Sequence, residues 1–258
     1  MGLFNNNSPI GKPQGIGDFA IKSSPISAVS MNSVMRLVYV WMTLGLALTA
    51  VLALFISGQI ERAVNSLNTD IIWLNPAFMI GAIIAELAVV IVLSIGLSRK
   101  WLSPTAAAGL FLVYSALNGL TLSPIIWSYG QASVYKAFAS TAVLFGIMSV
   151  YGYTTKSDLM GWGKYLMMAL LGLIVAMVIN MLLRSSAMDF VISIFGVFIF
   201  TALTAYDTQK IKVMAEDPAI QGDSNAILKV SIYGALNLYL DFINLFLYLL
   251  RLFGSSRD

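Results

Sequence analysis

Seven apolar runs constrain this chain more than any other feature, because each is about as long as a helix must be to cross a hydrocarbon core, roughly 20 residues. They occupy residues 37–56, 77–97, 105–126, 134–153, 165–183, 188–206 and 232–250. Of the 258 residues, 59% are apolar and only 10% charged, whereas soluble domains are about 25% charged. That balance cannot hold so much apolar side chain in water around one core, so lipid is the expected surroundings. A membrane β-barrel would alternate polar and apolar residues in segments of about ten. These runs are twice that length and apolar on every side, which selects helices. The expected architecture is an all-α membrane protein, a seven-transmembrane helix bundle.

The runs divide the chain into a polar amino-terminal tail (1–35), a transmembrane domain (36–253) and a short carboxy-terminal tail (254–258). The first tail is rich in Asn, Ser, Pro and Gly and carries Lys12, Asp18 and Lys22. No short apolar region with a small-residue cleavage site precedes the first run, so that run is expected to act as the insertion signal. With the amino terminus in the cytosol, Arg36, Arg99, Lys100, Lys156, Lys164, Lys210, Lys212 and Lys229 lie inside with the two tail lysines, and Arg62, Lys136, Arg184, Arg251 and Arg257 lie outside. The excess of basic residues inside favours this orientation. An odd number of spans then puts the carboxy terminus outside, unless the final segment re-enters.

The absence of cysteine and histidine removes disulfides, thiolate nucleophiles and histidine metal or pH-switch chemistry. The net charge of +3 is scattered and offers no patch for a phosphate backbone, which argues against nucleic acid as a partner. What remains chemically conspicuous is acid inside the apolar windows: Glu86, Asp207 and Asp241. An ionised carboxylate at mid-span costs about 2.5–3.5 kcal/mol on the lenient insertion scale, so these residues imply an interior cavity, a polar network or an ion path.

Asp241 shares one helical face with Asn237 and Asn244, at i−4 and i+3, and Tyr248 continues the stripe. Helix packing through the asparagines is the bland alternative; a charge contributes nothing to packing. Asp207 shares a face with Thr204 and Thr208 near the inner end of the sixth run. There it either closes the span and pairs with Lys210 or Lys212, or turns inward. If Asp207 and Asp241 approach each other, the two carboxylates resist carrying two negative charges, and one is expected to hold a proton near neutral pH. Loss of that proton, or arrival of a hard cation such as Ca²⁺, would change the contact, so the pair is both the candidate pH gate and the candidate transient metal site. Depth is the difficulty: the windows put Asp241 near mid-membrane and Asp207 at the inner edge. Glu86, among small residues, is either a relay on the same path or a hydrogen-bonded structural acid. Arg99 is the nearest candidate counter-ion for Asp207. Tyr114, Asn118 and Thr121 share a face of the third run, Gly119 beside them admits a close neighbour, and Pro124 is expected to bend or end that helix. Asn180 reads as a packing contact.

The segments Ala205-Tyr-Asp-Thr-Gln209 and Ala235-Leu-Asn-Leu-Tyr-Leu-Asp-Phe-Ile-Asn-Leu-Phe246, with Pro76-Ala-Phe-Met-Ile and the run from Tyr114 to Ser123, resemble the Bax-inhibitor family, the transmembrane Bax inhibitor motif proteins. The likeness covers residues 36–253 and points to the bacterial branch, in the plasma (inner) membrane. It implies a last helix surrounded by the other six and a pH-sensitive calcium leak channel. It further implies that Asp207 and Asp241 are a di-aspartyl sensor sharing a proton, with an arginine, matched to Arg99, engaging one of them. The linker between the last two spans, about 210–231, is longer than the compact pattern of the family.

The leading functional reading is a pH-sensitive Ca²⁺ or cation leak gated by the aspartate pair, with lipid and Ca²⁺ or protons as partners and no resident cofactor. The alternative is a non-transporting regulator of a membrane protease or another membrane protein. An intramembrane aspartyl protease is disfavoured, because neither aspartate sits in a Gly-Asp context, and the protein is therefore not expected to be an enzyme. Secondary transport would ordinarily leave internal repeats, and none is evident.

Overall fold

The computed structural model describes residues 25–67, 71–99, 101–220 and 222–254, with side chains described from Asn32 onward. Most of the expected amino-terminal tail and the last four residues lie outside that set. Among the described residues, seven helices are long and apolar enough to cross a membrane. They are α1 (Pro25–Asn65), α2 (Pro76–Ser98), α3 (Pro104–Ser128), α4 (Gln131–Thr154), α5 (Gly163–Leu183), α6 (Ser186–Ala215) and α7 (Ser224–Phe253). The described residues contain no strand. Helix α1 begins at Pro25, inside the stretch read from sequence as tail.

Local chemistry sets the boundaries. The Asn75 side chain caps α2 by accepting from Ala77 N at 2.9 Å, and Pro76 follows at the position where a missing N–H does no harm. Ser103 with Pro104 repeats the device at α3, and Ser185 caps α6. Pro124 does not end α3, which continues to Ser128. Proline removes the donor that would serve the carbonyl four residues earlier. Here Ser123 Oγ donates to Leu120 O at 2.7 Å and satisfies that carbonyl instead.

Helices α6 and α7 extend well beyond their apolar windows at the end they share, leaving only residues 216–223 as a connection. The long linker expected from hydropathy is therefore mostly helix. Charged residues depress hydropathy there, while tertiary contacts carry the helix on. Ile211 and Ala215 are buried, Lys210 Nζ donates to the Tyr233 hydroxyl at 3.1 Å, and Lys212 Nζ to Tyr153 O at 3.1 Å.

Helix α7 is the centre of the bundle, 61% of its apolar window being buried, against 11% for α2 and for α5. It packs on α1, α3, α4 and α6 and touches α2. Helix α5 lies outermost against α6 and reaches α7 through Tyr248, whose hydroxyl donates to Met177 Sδ at 3.2 Å. The central helix is thus ringed unevenly, and α5 is a second layer. Large apolar side chains such as Ile84, Val143, Met168 and Leu182 are exposed, as a lipid-facing surface requires and a water-facing one does not tolerate. Two close crossings let the inner helices approach: a Cβ added at Gly119 would lie 2.7 Å from Thr49 O, and one at Gly152 would lie 2.3 Å from Ala205 O.

Candidate functional site

The antiparallel seam of α6 and α7 is fixed by two contacts. Gly196 sits against the Tyr248 ring, which also stacks on Phe200, and Gly234 sits against Ile211. Counting from the first contact places Asp241 level with Leu203 and from the second level with Thr204, about one turn from Asp207, an axial offset of about 4.5–6 Å at 1.5 Å per residue. The depth difference expected from the hydropathy windows narrows to about one turn, because both helices run beyond those windows at the end they share. Asp207 and Lys210 are the charged groups that Asp241 faces.

The two aspartates have different surroundings. Asp241 is 4% exposed, and its Oδ2 has no hydrogen-bond partner among the described residues. Asp207 is partly open and pairs with Lys210, Oδ1 to Nζ 3.9 Å. The Lys210 ammonium also lies over the rings of Tyr206 and Tyr233, 5.8 and 5.4 Å from their centroids. The cation beside Asp207 is therefore the one supplied by its own helix. Arg99 instead forms the exposed carboxy-terminal cap of α2.

The other polar residues of the two stripes turn largely onto their own backbones. Thr204 Oγ1 donates to Phe200 O at 2.8 Å, Thr208 Oγ1 to Thr204 O at 2.7 Å, and Asn244 Nδ2 to Leu240 O at 2.8 Å. Asn237 is half-buried. Such back-bonding satisfies hydroxyls and amides inside a bundle and leaves the carboxylates as the distinctive groups of the seam. Among the described residues no three acidic side chains gather as a metal cage, and Ca²⁺ takes six to eight oxygens. Two carboxylates alone fall short of that number.

Glu86 belongs to a separate network on another side of α7. Its Oε1 accepts from Asn118 Nδ2 at 2.8 Å and its Oε2 from Thr121 Oγ1 at 2.7 Å. The polar face of α3 thus meets the acid of α2. Beside them Tyr239 shares a hydrogen bond with Thr49 Oγ1 at 2.6 Å, and Thr49 donates to Ser115 O at 2.8 Å, tying α7, α1 and α3 together. Residues two apart on a helix diverge by about 200°, so Tyr239 and Asp241 look toward different neighbours.

Sequence reasoning missed this tyrosine linkage, since a threonine and a serine in apolar runs look like filler. It also missed the bond between the hydroxyls of Tyr39 and Ser149, the latter 3.2 Å from Thr208 Oγ1. Asn180 proves more than a packing contact. Its Oδ1 accepts from Ser185 N at 3.1 Å and its Nδ2 donates to Asp189 Oδ1 at 2.6 Å, stitching the turn between α5 and α6; the Asn…Asp spacing across that short turn was the available signal.

Residues 31–258 match the sequence profile of the family described as Inhibitor of apoptosis-promoting Bax1. The chain is 49% identical over 228 residues to the Inner membrane protein YbhL of Escherichia coli, covering 88% of this chain and 93% of that one. It is 43% identical to an uncharacterized protein of Borreliella burgdorferi, over 88% of this chain and 94% of the other. It is 40% identical to an uncharacterized membrane protein of Streptococcus pyogenes, over 89% and 96%. A seven-helix bundle with a buried last helix, matched over nearly its whole length by these relatives, belongs to the Bax-inhibitor family in its bacterial branch, a non-catalytic family, and is a multi-pass membrane protein like the inner-membrane YbhL.

Proposed function

We propose that the protein is a pH-sensitive leak pathway for Ca²⁺ or a similar cation, closed at the α6–α7 seam by a proton that Asp207 and Asp241 share. The observation that carries this reading is Asp241, buried with an unbonded Oδ2 and with Asp207 and Lys210 as its charged neighbours. With one proton between them, the two carboxylates hold a single negative charge, which the Lys210 ammonium balances. Loss of the proton leaves one uncompensated negative charge in a poorly hydrated seam. Helix separation or entry of a cation relieves it. Tyr206 and Tyr233, which flank Lys210, keep its ammonium over the pair without adding charge.

Access from one end supports the same reading. A cavity of about 590 Å³ opens where α2 ends and α6 turns into α7, and Lys210, Tyr233, Asp217, Asp223 and Lys229 are among its lining residues. Water and ions entering there meet Lys210, the cation paired with Asp207. The distribution of basic residues makes this the cytosolic end, with the amino terminus on the same side.

The test is Ca²⁺ flux into liposomes carrying the purified protein, measured as a function of pH. Wild type is expected to leak more as pH rises. Asp241→Asn, which keeps the shape but carries no ionisable proton, is expected to lose that dependence. A variant with unchanged flux and unchanged pH response removes the gate. Wild-type flux equal to that of empty liposomes, together with one stoichiometric membrane partner on purification, establishes the regulatory alternative.

A further inference from the structure

At the opposite end of the bundle a cavity of about 720 Å³ lies between the α5–α6 turn and the end of α7. Two arginines from distant parts of the chain, Arg184 and Arg251, line it. Among the described residues neither forms an ion pair. The carboxylate of the cavity, Asp189, is already engaged by Asn180 Nδ2 at 2.6 Å. Arg251 extends over the ring of Tyr248, 5.7 Å from its centroid, which holds its guanidinium beside the cavity.

Arg184 carries a second, independent peculiarity. Its backbone is left-handed, φ 52° and ψ 39°, at the position that terminates α5. That position is ordinarily filled by glycine or asparagine, because a Cβ is disfavoured there. The sequence keeps an arginine at a conformational cost, and an outlier of this kind is a reason to look for function.

The surroundings identify what two unpaired guanidiniums would hold. Met181 and Phe190 line the same cavity and are 70% and 57% exposed, and Leu182 beside them is 78% exposed. The site therefore lies where the lipid-facing belt gives way to the polar end of the bundle. We propose that Arg184 and Arg251 bind the phosphodiester of an anionic phospholipid, with its acyl chains lying along Met181 and Phe190. Guanidinium forks match phosphate oxygens in geometry and charge. Two cations against one occupied carboxylate favour a headgroup with net negative charge over a zwitterionic one.

Native mass spectrometry on the full chain in detergent, titrated separately with phosphatidylglycerol, phosphatidylethanolamine and inorganic phosphate, tests this. Wild type is expected to retain one phosphatidylglycerol at least tenfold more tightly than phosphatidylethanolamine. Arg184→Gly relieves the backbone strain and so keeps the fold. It and Arg251→Gln are each expected to weaken that binding about tenfold, with thermal stability in lipid-free detergent equal to or above wild type for Arg184→Gly. Equal retention of the two lipids, or unchanged phosphatidylglycerol binding in both variants, overturns the proposal. Displacement of the lipid by millimolar inorganic phosphate, with equal protection by phosphate alone, assigns the site to a free anion and overturns it as well.

Discussion

Replacing Glu86 by alanine removes both acceptors of the α2–α3 contact, and its cost follows from the geometry. Two hydrogen bonds, at 2.8 and 2.7 Å, are lost. Between helices in a membrane each is worth about 0.6 kcal/mol on average and at most about 1.7. Asn118, which is 4% exposed, is then left with an amide donor lacking its partner, a penalty of about 1–3 kcal/mol. Thr121 suffers less, because its hydroxyl also lies 3.2 Å from Asn118 O. The sum is about 2–4 kcal/mol, or about 5–10 °C in unfolding temperature for a chain of this size. Glu86→Gln behaves differently. Its carbonyl oxygen still accepts from Asn118, and its amide donates to Thr121 Oγ1, which passes its own proton to Asn118 O. A loss of under about 1 kcal/mol is expected. Thermal unfolding of the purified variants in one detergent, followed by tryptophan fluorescence and size-exclusion recovery, separates the two. Glutamine as damaging as alanine, or alanine within about 1 °C of wild type, refutes the assigned network.

Three further outcomes are expected. Ser123→Ala should destabilise by about 1 kcal/mol, because it orphans the Leu120 carbonyl that Pro124 cannot serve; in a Pro124→Ala background the same change should be nearly silent, and equal effects in both backgrounds would contradict the compensation. Gly152→Val should abolish recovery of monodisperse protein, since even a Cβ there meets Ala205 O at 2.3 Å, whereas Gly146→Ala, with open space around it, should stabilise by up to about 1 kcal/mol. Tyr239→Phe should cost about 1 kcal/mol through loss of the Thr49 bond while leaving the pH response of Ca²⁺ flux intact; a changed pH response would join the Tyr239 network to the aspartate seam.

The spans were readable from sequence because lipid imposes a length and a composition, and a helix is the simplest way to satisfy every backbone group inside it. The ends were not. Hydropathy stops at a charge, but α6 continues through Lys210 and Lys212 because each ammonium finds an oxygen or an aromatic face in the neighbouring helices. That same extension carries the register in which Asp241 lies about one turn from Asp207 along the seam. The polar face of α3 was visible as a spacing, yet nothing in its residues named Glu86 as the partner; that pairing depends on how α2 is rotated against α3. The pairing of Asp207 with Lys210 was one of the two readings open at the end of the sixth run, and the 3.9 Å contact three residues along the same helix realises it.

The central helix suggests why polar chemistry in this bundle is divided. Around α7, Tyr239 is held by a hydroxyl of α1 near the acid of α2, and Asp241 confronts the acid and the ammonium of α6. The first arrangement is closed: the hydroxyl of Tyr239 is bonded to Thr49, so displacing α7 there breaks a bond that lipid cannot replace. The second is open, because Asp241 Oδ2 has nothing to lose. In the gate proposed above, motion of α7 driven by a proton or a cation at Asp241 would be easiest along the α6 seam, with the Tyr239–Thr49 contact as its pivot. A double variant that removes the fixed side, Thr49→Val with Tyr239→Phe, should then loosen the bundle without steepening the response to pH. A steeper response in that variant would show that the tyrosine network opposes opening and is not its pivot.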